Sequence, residues 1–226
     1  MPITPDLAAA ETAIIEKTNA FRKANNLPAV ARNPELTAAA RAYANLLAAQ
    51  KNDELSHTFK GTTPGSRAKE AGYDYCQIAE NLALLYDSRG FTSAEYASRT
   101  LDGWQESPGH RKNLLMPNVT ETGVAVARTQ NSLPRYIAVQ LFGRPRSLSY
   151  SFKISNRSGS VVDYSFAGEM HDVKPRQTVT YRSCDPGDID FKLDEPRAAG
   201  RFSARNGAVY TLLPRDGGGV RVEVSR

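Results

Sequence analysis

Of the 226 residues only three are histidine, and two of these stand in polar, turn-forming segments, Leu55-Ser56-His57-Thr58 and Glu106-Ser107-Pro108-Gly109-His110. Ser107-Pro108 reads as the start of a short helix through about Leu115. That places His110 in the first turn, where the positive end of the helix dipole disfavours imidazolium. A neutral imidazole serves as metal ligand or as base. Glu106 lies just outside that helix, and Glu80 stands among apolar neighbours in Ile78-Ala79-Glu80-Asn81-Leu82, where burial demands a partner for the carboxylate. The chemistry open to this set is divalent-metal binding through His57 and His110, or acid–base work by Glu80 and Glu106. Spacing alone does not choose: a separation of 53 residues between the histidines is no metal motif, and two capping or surface histidines fit it as well.

Other chemistries find less support. Ser56 and Ser107 adjoin the histidines, but no Gly-x-Ser-x-Gly elbow or third orienting acid is legible. The two cysteines, Cys76 and Cys184, are too few for a disulfide-stapled scaffold or a multi-thiolate metal site. They read as buried structural thiols or, in an oxidising compartment, as a single bridge. His171, in Glu169-Met170-His171-Asp172, reads as a loop histidine, and Trp104 as core. The run Gly217-Gly218-Gly219 lacks the Lys and Ser/Thr of a phosphate loop and reads as a turn.

The elements that must position these residues fall into two groups. Thr4-Pro5 opens a helix with Ile14, Thr18 and Phe21 on one face, and Asn33-Pro34 opens a second with Leu36, Ala39, Ala40, Tyr43 and Leu47 at helical spacing. Thr92 and Glu95 form a capping box for a third, carrying Ala97, Leu101 and Trp104. Strands follow at 123–127 and 136–142, joined by a polar loop through Asn131. Helices flanking a small antiparallel sheet are therefore expected for residues 1–143. Near Gly143-Arg144-Pro145-Arg146 the pattern changes to short alternating strands, such as Tyr150/Phe152/Ile154, Val162/Tyr164/Phe166, Ile189/Phe191/Leu193 and Val220/Val222/Val224. Residues 144–226 are expected to form a small antiparallel β-sandwich, giving an α+β chain of two domains.

The net charge of +5 divides as +1 for residues 1–143 and +4 for 144–226. Basic residues are spread without a block or interleaved aromatics, so nucleic-acid binding is not expected. No apolar run approaches the roughly 18–20 residues of a membrane span. The opening Met1-Pro2-Ile3-Thr4-Pro5-Asp6 has neither the basic stretch nor the apolar core of a signal peptide, which fits a cytoplasmic protein or one whose leader has been removed.

Seven segments occur together in the order and spacing of one known superfamily: Asn19-Ala20-Phe21-Arg22, Leu36-Thr37-Ala38-Ala39-Ala40-Arg41, Leu55-Ser56-His57-Thr58, Ala79-Glu80-Asn81-Leu82, Gly103-Trp104, Ser107 to Leu115, and Thr122 to Ala127. Over about residues 8–143 the chain resembles the bacterial branch of the CAP superfamily, which groups cysteine-rich secretory proteins, antigen 5 and plant pathogenesis-related proteins. The resemblance implies an α-β-α sandwich with a cleft of two His and two Glu, here His57, Glu80, Glu106 and His110. It further implies zinc or another divalent metal at His57 and His110, a small-molecule or lipid-like ligand, and an extracellular or periplasmic location. The multiple disulfides of animal and plant members are absent, and the stretch from Leu84 to Phe91 is only modestly aromatic, so lipid-binding activities tied to an aromatic loop transfer poorly.

Three functions are compatible with that resemblance. The first is a secreted, non-enzymatic binding module whose residues 144–226 dock to a protein or surface partner. The second is a metal-dependent hydrolase, a peptidase or esterase, using Glu80 or Glu106 as general base. In the third, the four residues merely brace the cleft by hydrogen bonds.

Overall fold

A computed structural model describes residues 2–50, 54–130, 135–193 and 200–226. The chain divides into two compact units, 1–147 and 148–226. The first contains α1 (Leu7–Ala24), β1 (Ala31–Arg32), α2 (Pro34–Ala48), α3 (Pro64–Glu70), β2 (Tyr75–Leu85), α4 (Ser93–Glu106), α5 (Pro108–Leu114), β3 (Glu121–Arg128) and β4 (Tyr136–Pro145). Its sheet has the order β1-β3-β4-β2 and is antiparallel except where β1 meets β3.

Successive residues of a strand face opposite ways, and here both faces are covered. Val124, Val126, Ala138 and Phe142 pack with Ile14 of α1 and Tyr96, Leu101 and Trp104 of α4. Ala125, Ile137, Val139 and Leu141 pack with Leu36, Ala40, Tyr43 and Leu47 of α2 and Ala68 of α3. This is an α-β-α sandwich. Gly123 lets α2 approach β3 closely, for a Cβ there would lie 2.2 Å from the Leu36 carbonyl carbon.

Local signals placed several helix ends. Asn33 caps α2 by accepting from Leu36 N–H at 2.8 Å, and Thr92 and Glu95 form the capping box of α4. The first helix differs from expectation: Asp6, not Thr4, is the cap, accepting from Ala9 N–H at 3.0 Å. The preceding residues are held extended instead, because Ile3 N–H donates to Arg89 O at 2.9 Å and Ile3 O accepts from Phe91 N–H at 3.0 Å. Neither α3 nor β2 was anticipated. The loop expected through Asn131 lies outside the described residues. Among the described residues no helix is long and apolar enough to cross a membrane.

The second unit contains β5 (Tyr150–Asn156), β6 (Val162–Phe166), β7 (Glu169–Val173), β8 (Thr178–Ser183), β9 (Asp188–Phe191), β10 (Arg201–Ser203), β11 (Val209–Pro214) and β12 (Val220–Ser225). Two sheets, β10-β9-β6-β7 and β12-β11-β5-β8, share one core in which Phe152, Ile154, Tyr164, Phe166, Phe191 and Tyr210 meet. All pairings are antiparallel except β11 with β5. His171 is not a loop residue. It lies in β7, with its ring centroid 5.4 Å from that of Tyr164 and 5.8 Å from that of Tyr181. The strand escaped the sequence reading because only Val173 of its five residues is buried, which leaves no apolar alternation. Neither cysteine is free: Cys76 and Cys184 are both disulfide-bonded, so neither is the buried thiol that one reading expected.

Candidate functional site

Three of the four sequence-predicted residues, His57, Glu80 and His110, come from different parts of the first unit and meet at the outer edge of its sheet. The strand β2 occupies that edge. Ile78, Leu82 and Leu84 pack on the α2 side and Ala79, Ala83 and Leu85 on the α1 and α4 side. Alternation therefore points Glu80 toward α2 and α3, and Asn81 toward α5.

Glu80 is buried, and both of its carboxylate oxygens are engaged. Arg67 Nη2 donates to Oε2 at 2.6 Å, and His57 Nδ1 lies 2.9 Å from Oε1. A carboxylate oxygen accepts, so His57 Nδ1 is the donor of that second bond, and Nε2 makes no hydrogen bond to a described residue. The His57 side chain is half exposed. A carboxylate behind an exposed imidazole is the arrangement that orients a metal-ligating histidine and strengthens its basicity.

Arg67 is the main contributor that sequence reasoning missed. It is buried on α3, with its guanidinium carbon 3.4 Å from the centroid of the Tyr43 ring, and its Nη1 donates to His57 O at 3.2 Å and Thr62 Oγ1 at 3.1 Å. Tyr43 in turn donates to Ser56 O. One arginine thus holds the Glu80 carboxylate and the backbone of the loop that carries His57. The sequence signal available for it was the capping box of Thr63 and Ser66 with Pro64, which starts the helix that bears it.

On the other side of β2, Asn81 Nδ2 donates to His110 O at 3.1 Å. Asn113 Nδ2 donates to Glu80 O at 3.1 Å and to Asn81 Oδ1 at 2.9 Å. The two asparagines fasten α5 to the sheet edge and satisfy a strand carbonyl that no further strand covers. His110 is partly buried, and its pKa is lowered, first by burial and then by the charge of a protonated His57. The neutrality expected of His110 therefore comes from its surroundings, and the proximity of His57 is part of the cause. Glu106, the last residue of α4, is exposed and makes no hydrogen bond or ion pair with a described residue. The structure brings His57, Glu80 and His110 into one electrostatic neighbourhood and shows no interaction of Glu106 with any of them.

The donor set has a definite capacity. Among the described residues no group of three or more His, Cys, Asp or Glu could hold a metal ion. Imidazole is a ligand type that a borderline-soft divalent ion such as zinc accepts, and two of them are fewer than the three or four protein ligands of most zinc sites.

Comparison with known proteins places the unit. The sequence profile of the cysteine-rich secretory protein (CAP) family matches residues 15–142. The Bacillus subtilis protein YkwD is 32% identical over 120 residues, a match covering 52% of this chain and 42% of that protein. The chain thus spans less than half the length of that relative. Among solved structures, an outer surface protein of Borrelia burgdorferi superposes with a TM-score of 0.51 at 24% identity, over 61% of this chain and 93% of that one. An extracellular SCP-domain protein of Bacillus anthracis gives a TM-score of 0.48 at 27% identity, over 64% of this chain and 45% of that one.

Proposed function

Given that the chain belongs to the cysteine-rich secretory protein family, we propose that its first unit is an extracytoplasmic binding module whose cleft holds a divalent ion, zinc foremost, between His57 and His110. The observation that carries this reading is the Glu80 carboxylate 2.9 Å from His57 Nδ1, which fixes the tautomer that offers Nε2 to a metal. The lowered pKa of His110 supports it, because only the neutral ring can ligate. An ion held by two nitrogens retains open positions, and a small or lipid-like molecule with an oxygen donor would complete them. The second unit, in this reading, docks to a protein or surface partner. Extracytoplasmic location is supported by the family and by the disulfide-bonded state of both cysteines, since such bonds persist in oxidising compartments.

A hydrolase using the same ion is less well supported. Both Glu80 oxygens are committed, to Arg67 and His57, so that carboxylate is poorly placed to take a proton from water. Glu106 remains as the only free carboxylate of the four predicted residues, and nothing orients it.

Zinc titration of metal-free protein by calorimetry tests the proposal. The wild type is expected to show one saturable site, His57→Ala and His110→Ala to lose it, and Glu80→Gln to weaken it by about 10–100-fold at unchanged stoichiometry. Absence of a saturable site in the wild type, or an unaltered one in His57→Ala, overturns the metal reading.

A further inference from the structure

Outside the histidine cleft, two arginines of the first unit share one buried carboxylate. The Glu11 side chain of α1 is only 2% exposed; its Oε1 accepts from Val126 N–H at 2.9 Å and pairs with Arg41, and its Oε2 lies 3.7 Å from Arg32 Nη2. Arg41 Nη1 also donates to Val126 O at 2.7 Å, so two bonds fix that guanidinium. Both arginines line a cavity of about 500 Å³ together with Pro34, Thr37 and Ala38. Positions 34, 37, 38 and 41 recur at the spacing of one helical face, so α2 supplies one wall, and Arg32 joins it from β1, just before the Asn33 cap. The volume falls within the range for small-molecule sites, roughly 300–1,000 Å³. None of His57, Glu80, Glu106 or His110 lines it.

Charge and access define what would fit. The Arg32 and Arg41 side chains are 47% and 39% exposed, so a ligand can reach them from solvent. The Arg32 guanidinium makes no hydrogen bond to a described residue, and its donors are open. Two guanidinium charges meet one carboxylate, which leaves one positive charge unmatched at a wall whose other residues are uncharged. Glu35, the acidic residue of the first turn of α2, does not line the cavity; its Cγ lies 3.9 Å from where a Cβ on Gly72 would be. An ammonium group would be repelled, and a dianion would leave surplus negative charge beside Glu11. A carboxylate matches the single charge, and its two oxygens suit the paired donors of a guanidinium.

We propose that this cavity is a binding site for a small organic molecule bearing one carboxylate, held between Arg32 and Arg41 with its uncharged body against Pro34 and Ala38. Glu11 does not touch the ligand. It orients Arg41 and cancels one of the two positive charges. The site is independent of any metal at His57 and His110.

The test is an NMR titration of the isotope-labelled, metal-free full chain with benzoate, benzamide, phenyl phosphate and benzylamine as probes. Benzoate is expected to shift the amides of Arg32, Asn33, Thr37 and Ala38 and the Arg41 Nε–H signal in a saturable way, with the other three probes about tenfold weaker or worse. Arg32→Gln removes the unmatched charge, and Ala38→Glu, at an exposed helical position, adds a repelling one without altering either arginine. Both are expected to weaken benzoate binding at least about tenfold while keeping the wild-type circular dichroism, and Arg32→Lys to retain part of it. No saturable shift, shifts centred elsewhere, benzamide or phenyl phosphate binding as tightly as benzoate, or undiminished binding in Arg32→Gln or Ala38→Glu each overturns the proposal. Failure of the wild type to bind zinc bears on the metal site alone.

Discussion

At the scale of single residues, the site depends on one carboxylate serving two cationic side chains of different character. Arg67 is buried, whereas the His57 side chain is half exposed to solvent. His110 completes the set as a ring that its environment keeps neutral, and this has a consequence for stability. Its pKa in the folded protein lies below the ordinary histidine value of about 6.5. Above that value the ring is neutral whether the chain is folded or not, and its contribution to stability is fully present. As the pH falls through about 6.5 the unfolded chain takes the proton first, and the contribution is lost progressively until the folded-state pKa is passed. The urea midpoint of metal-free protein should therefore drop between pH 7.5 and pH 5, and His110→Gln should remove part of that drop. If His110→Gln leaves the pH slope as it was, the burial of this ring is not its source.

At the scale of elements, a second buried carboxylate completes the sheet. The short β1 pairs with β3 only at Glu121 and Thr122, so the rest of that β3 edge has no neighbouring strand. Glu11 of α1 accepts from Val126 N–H at 2.9 Å, Arg41 of α2 donates to Val126 O at 2.7 Å, and the two side chains also pair with each other. Together they take the place of a strand at Val126 and block pairing with another chain. Glu11→Ala leaves the Val126 N–H and the Arg41 charge unmatched. Its expected cost in urea unfolding is about 2–3 kcal/mol, less than for a fully buried pair because Arg41 can rehydrate. A loss below about 0.5 kcal/mol would show that water replaces the pair without penalty.

The same two carboxylates show what sequence reading could and could not reach. Glu80 advertised itself as a charge among apolar residues, and its need for a partner was legible. The partner was not, because Arg67 sits on a seven-residue helix with no apolar periodicity of its own. Glu11 gave no signal, since its partners lie 30 and 115 positions away in sequence. Caps such as Asn33 and Thr92 were legible because their bonds close within three residues. The strand β2, half-buried along most of its length and interrupted by Glu80 and Asn81, shows no clean alternation and was missed as an element even though its key residue was found.

At the scale of the whole molecule, charge and redox state set the expectations about surroundings. With the division after Ser147, Arg144 and Arg146 belong to the first unit, where Arg144 donates to Asn118 O at 3.0 Å and Arg146 pairs with Asp74 at 2.9 Å. Residues 148–226 then carry 12 basic and 10 acidic residues, against 17 and 14 in residues 1–147, so the positive surplus is shared between the units. The cysteines give the firmer guide. Cysteines in the disulfide-bonded state are a feature of oxidising compartments, and cytosolic thiols are normally kept reduced. Protein taken from its own cells and denatured under alkylating conditions should therefore show no reactive thiol before reduction and two after it. Two thiols modified without reduction would return the protein to the cytosol and remove the main structural support for a secreted role, while leaving the cleft chemistry of His57, Glu80 and His110 to be judged by zinc binding.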